Sequence, residues 1–125
     1  DNEKRVSQQK MMQAHAMQQQ AQQMEGQLSA IQSALTEVMQ GLESVKALKG
    51  EKELLFPLGG GAFVKARKAD EKILYDVGAQ IIAEKDYDSV IASMEERRKE
   101  LENALKNASA NLNALVKRAQ NEQFQ

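Results

Sequence analysis

The sequence predicts an α+β fold that is mostly α: a long antiparallel coiled-coil hairpin with a small four-strand, two-hairpin β insert at its bend. Three observations carry that expectation. Apolar residues recur at spacings of three and four without a break across residues 14–45, and again across residues 87–119. Between these two runs, residues 54–84 hold helix breakers and two-residue alternation instead of a helical stripe.

In the first run Ala14, Met17, Ala21, Met24, Leu28, Ile31, Leu35, Val38, Leu42 and Val45 form one heptad seam. With Leu28 at a and Ile31 at d, the remaining positions are mostly Gln, Ser, Glu and Lys, as a solvated face requires. A helix over residues 3–48 follows, ~70 Å long at 1.5 Å per residue. The Gln18, Gln19, Gln20, Gln22 and Gln23 run interrupts no seam position, and Gln forms helix well, so it reads as solvated face. Gly26 and Gly41 lie off the seam as places for a bend, and Gly50 is the stop.

Pro57 and the Gly59, Gly60, Gly61 run then force a turn. Phe63, Lys65 and Arg67 alternate with Val64 and Ala66, and Ile73, Tyr75 and Val77 alternate with Leu74 and Asp76. Lys68 to Lys72 is a polar link of hairpin length, and Gly78 begins a tighter reversal into Ile81, Ile82 and Ala83. Four strands result, roughly 54–58, 62–67, 73–77 and 80–84. So small a sheet has open edges and too little area for its own core, so edge pairing with other chains is expected.

Asp86 is placed to cap a second helix, whose seam is Tyr87, Ile91, Met94, Arg98, Leu101, Leu105, Ala108, Leu112, Leu115 and Ala119. The Glu95–Glu100 charges pair at helical spacing on an exposed face, and only Arg98 meets the seam. The two seams bury their stripes against each other, with the second helix ending near residue 121, opposite roughly residue 13. The chain is thus expected to form one domain: residues 1–50 first helix, 51–85 β hairpins, 86–125 second helix.

At the distal end the pattern inverts. The register puts Glu3, Ser7, Lys10 and Glu122 on the seam, while Val6, Met11, Met12, Val116 and Phe124 fall outside it. Apolar side chains on the outer faces of a tip, Met prominent among them, suit an adaptable binding surface.

Several functions are excluded by what the chain lacks. A net charge of −1 offers no broad positive field, so nucleic acid is not an expected partner. No apolar run is long enough to cross a bilayer, so no membrane role is expected and the chain reads as soluble and intracellular. Zero cysteines remove disulfides, thiolate metal sites and thiol catalysis. Gly59–Gly61 is followed by strand and by no Lys-Ser or Lys-Thr, so it is not a phosphate loop. His15 stands alone, and the Asp86, Asp88 pair suits helix capping as well as cation binding. No enzyme, cofactor or metal site is expected.

With the order long helix, short strands, long helix in place, the chain closely resembles the prefoldin family, and specifically its α-type subunits. PLGGGAFVKA (residues 57–66) and YDVGAQIIAEKD (residues 75–86) carry the resemblance, together with room for two hairpins. It implies that two α-type and four β-type subunits join their hairpins into β-barrels from which six coiled-coil arms hang. The space between arm tips would hold unfolded proteins without nucleotide and pass them to a group II chaperonin in the cytoplasm. Subunit assembly then falls to Leu54, Leu55, Phe56, Phe63, Val64, Ile73, Tyr75, Val77, Ile81 and Ile82. Client binding falls to Val6, Met11, Met12, Val116 and Phe124, carried over by position alone. The alternative is a non-chaperone coiled-coil scaffold or filament assembled through the β insert. An RNA-binding helical arm is disfavoured by the charge.

Overall fold

A computed structural model describes residues 1–123, in the order α1 (Asn2–Leu48), β1 (Glu53–Gly59), β2 (Ala62–Arg67), β3 (Lys72–Gly78), β4 (Ile81–Asp86) and α2 (Tyr87–Gln123). The Asp1 carboxylate accepts from the Glu3 N–H at the start of α1. At its end Gly50 takes the left-handed conformation (φ 84°) that a residue with a Cβ resists. The helix runs unbroken through Gly26 and Gly41, but the two are not alike. A side chain at Gly26 would meet open space, whereas a Cβ at Gly41 would stand 3.4 Å from the Met94 methyl. Gly41 is half-buried, closer to the helix contact than its off-seam position suggests.

The chain divides into two compact units, the first made of Asp1–Thr36 with the chain from Lys99 onward. Here the seam is as the spacing predicts: Met17, Ala21, Met24, Leu28, Ile31 and Leu35 are half-buried, and Leu101 and Leu115 are buried. Ala34, Ala104 and Ser109 widen it. Ala14 departs from the expectation and is exposed. Its seam neighbours Lys10 and Glu122 are charged and stay in water, so nothing apolar closes over it.

The second unit, Glu37–Arg98, contains the end of α1, all four strands and the start of α2. Its core is Val45, Tyr87 and Val90, with Leu48, Ile73, Tyr75, Ile91 and Met94 packed around it. Val90 has 0% exposure although it lies off the predicted seam. A two-helix contact would leave it outside, but β3 supplies a third wall through Ile73 and Tyr75. Lys46 Nζ reaches Glu95 at 2.8 Å, Glu95 also holds Arg98 at 2.8 Å, and Lys49 pairs with Asp88.

The strands form two separate two-stranded antiparallel ribbons, β1 with β2 and β3 with β4, not one four-strand sheet. The 68–72 link is therefore no hairpin. Lys68 is drawn instead onto the helix ends, where its Nζ donates to the Leu48 carbonyl at 2.8 Å and lies 4.6 Å from the Tyr87 ring centroid. The fourth strand also begins and ends later than the expected 80–84. Ala79 and Gln80 form the reversal with positive φ (51° and 63°), while Lys85 and Asp86 pair with Ile73 and Lys72. In the first ribbon Gly59, Gly60 and Gly61 all have positive φ, which accounts for the glycine run by turn geometry.

Candidate functional site

Cross-strand partners share a face, so the register shows what each ribbon offers. On β1–β2 the Leu54↔Ala66 and Phe56↔Val64 pairs make one face wholly apolar. The opposite face carries Glu53↔Arg67, an ion pair at 3.5 Å, then Leu55↔Lys65 and Pro57↔Phe63. Leu54 and Ala66 are half-buried, whereas Leu55, Phe56, Phe63 and Val64 are exposed.

On β3–β4 the face bearing Ile73, Tyr75 and Ala83 is half-buried, and Ile73 and Tyr75 pack on the helix-end core. Those two side chains are thus already engaged within their own chain. Val77, Ile81 and Ile82 are exposed. Sequence reasoning passed over Leu58 (63% exposed) and Leu74 (68%). Leu58 sits between Pro57 and the glycine run and reads as turn, and Leu74 shares its face with Asp76 and Glu84 and reads as the solvated side of the alternation. Both ribbons leave strand edges and apolar side chains without cover inside the chain, a combination suited to pairing with other chains.

The second surface lies in the first unit. An open groove of ≈ 1520 Å³ runs along the start of α1 and the end of α2, lined by Val6, Met11, Ala14, Met17, Leu115 and Val116 among others. Charged Glu3, Lys10 and Glu122 rim it. Met11 and Met12 are 70% and 72% exposed, and Val6 and Val116 are also exposed. Phe124, placed with them by the register, lies outside the described residues. His15 lines the groove as well.

The chemistry available is reversible apolar contact and backbone pairing. Among the described residues, no group of three or more His, Cys, Asp or Glu is placed to hold a metal ion, and no helix is long and apolar enough to cross a membrane. Of the Asp86, Asp88 pair, Asp86 caps α2 by accepting from the Ser89 N–H at 2.7 Å, and Asp88 pairs with Lys49.

A family model described as Prefoldin subunit matches residues 17–123. A Prefoldin subunit alpha of Methanococcus maripaludis is 42% identical over 85 residues, which is 67% of this chain and 59% of that relative. The chain therefore spans less than two thirds of the length of the first curated relatives it matches. Prefoldin subunit alpha 1 of Methanocaldococcus jannaschii is 29% identical over 87% of this chain and 77% of its own length. Among solved structures, a filamentous PFD from Methanocaldococcus jannaschii superposes with a TM-score of 0.67 at 22% identity, covering 86% of this chain and 92% of that one.

Proposed function

The chain belongs to the prefoldin family, on the α-type side that its relatives represent, and from that premise we propose that it is a subunit of a nucleotide-independent holding chaperone. The β ribbons join it to β-type subunits, two α with four β, and the tips of the coiled-coil arms capture unfolded proteins for delivery to a group II chaperonin in the cytoplasm. The observation that carries this reading is the concentration of exposed Met and Val at the start of α1 and the end of α2, where Val6, Met11 and Val116 line an open groove. Such side chains gain by being covered, and unbranched Met adapts to many shapes.

The test is suppression of light scattering by a dilution-unfolded client, using this chain co-purified with a β-type partner. Suppression equal with and without ATP supports the proposal, and a strict ATP requirement overturns it. The scaffold reading keeps a specific support, since ribbons with open edges polymerise when successive contacts do not close a ring, and the structural neighbour is described as filamentous. It requires a mass that grows with concentration and no effect on client scattering.

A further inference from the structure

We infer that Lys68 is a positioning residue that fixes the direction in which both β ribbons leave the helix ends. Its side chain is 9% exposed, unusual for a lysine in a linker between strands. Three groups from three places hold its ammonium: the Leu48 carbonyl at the end of α1 (2.8 Å), the Tyr87 ring at the start of α2 (4.6 Å to the centroid) and the Glu71 carboxylate in the linker (3.9 Å).

Each contact has a physical reason. The last carbonyls of a helix lack intrahelical donors and carry the negative end of its dipole, so a cation is favoured there. Leu48 O already accepts from the Glu51 N–H at 3.1 Å, and Lys68 adds a charged donor. The Tyr87 ring, buried in the core with Val45 and Val90, presents its face to the ammonium.

Arg67 ends β2 and Lys72 begins β3, so the pin sits at the junction of the two ribbons. The linker's other end is closed locally, with the Lys72 N–H donating to Asp70 Oδ1 at 2.8 Å. The linker is thus pinned between β2 and β3, which do not pair with each other. Releasing the ammonium removes one of the ties that set the angle of the ribbons, beside the packing of Ile73 and Tyr75 on the helix-end core, and of the seam residues it touches Tyr87.

The consequence for assembly rests on the proposed joining of subunits through the ribbons; the local consequence does not. The experiment compares full-length wild type with K68M and K68R, reading amide hydrogen exchange over residues 66–73, native mass against concentration with the β-type partner, and helix content. Loss of a desolvated cation contact should speed exchange in the linker of K68M about ten-fold and move the assembly midpoint to about ten-fold higher concentration, with helix content unchanged. K68R, which keeps the charge and donors, should stay near wild type. If K68M loses its helices, K68Q is read in the same way.

Exchange in the charge-free variant matching wild type overturns the inference, as does K68R failing to restore it. A wild type that does not assemble overturns the assembly reading alone, because linker exchange still decides the role of Lys68. Faster exchange with unchanged assembly rejects the claim that ribbon direction governs joining.

Discussion

Asp86 accepts a hydrogen bond from the backbone N–H of Ser89 at 2.7 Å while standing opposite Lys72 in the β3–β4 ribbon. One residue thus closes the strand and caps α2. The hydrogen bond from the Ser89 side chain, then that from its backbone N–H, hold the carboxyl below its ordinary value against an opposing loss of hydration, with Lys72 and Lys85 adding to the lowering. A carboxyl depressed in the folded state contributes stability above its unfolded pKa, lost as pH falls through the folded value. D86A should therefore lower the melting temperature at pH 7, with the difference from wild type shrinking below pH 3.8. D86N keeps a capping oxygen and should lose less at pH 7. Thermal melts from pH 7 to 2.5 check both, and a pH-independent gap would show that the charge plays no part.

The reversal between β3 and β4 uses Ala79 and Gln80 at positive φ, a conformation in which a Cβ crowds the following carbonyl. Asn-Gly is the pair such a two-residue turn favours. The double change A79N/Q80G should raise stability by about 0.5 to 1 kcal/mol, the usual scale of a relieved backbone. Urea denaturation measures this, and a lower midpoint would mean that the turn side chains make contacts of their own.

Gly26 and Gly41 separate two effects of one substitution. Alanine at Gly26 meets open space in a helix interior and should stabilise by about 1 kcal/mol. At Gly41 the new methyl would press the Met94 side chain 3.4 Å away, so G41A should gain less. Equal gains would mean that Met94 moves aside freely.

The helices were legible because their seams are periodic, and the turns because Pro57 and the glycines leave few alternatives. What periodicity did not reveal came from three-body contacts. Val90 is sealed by a strand that no two-helix pattern includes, and Lys68 belongs to a linker whose composition reads as solvent-facing. Ile73 and Tyr75 show the same limit from the other side. Their alternation marks a buried face, but whether it is buried against the chain's own helices or against a partner depends on where the ribbon docks.

Ile81 and Ile82 lie on opposite faces of β4 and both are exposed, so replacing them by Lys removes little packing within the chain. Surface changes of this kind usually alter stability by less than about 0.5 kcal/mol. Helix content by circular dichroism should be nearly unchanged while assembled mass falls, since Lys on a sheet opposes pairing with a second chain. An unchanged mass would remove β4 from the interface.

Met11 and Met12 follow each other on α1 and are both outside the seam, so neither holds the helices together. On the proposed function, their value lies in what they gain when covered. Full burial of such a side chain is worth about 1.5 to 3 kcal/mol, and a client that covers roughly half of each gains a similar total from the pair. Removing it by M11S/M12S should weaken capture about 10- to 100-fold, at 1.4 kcal/mol per factor of ten. In an assembly of several arms the loss is compounded, because each weak contact raises the effective concentration of the others only while it lasts. Assembled mass and melting temperature should stay close to wild type, as no seam or strand residue changes. Light-scattering suppression and thermal melting of the same variant decide the matter. Intact capture would place clients elsewhere on the arms, and a melting temperature lower by many degrees would show that the two methionines are packing groups after all.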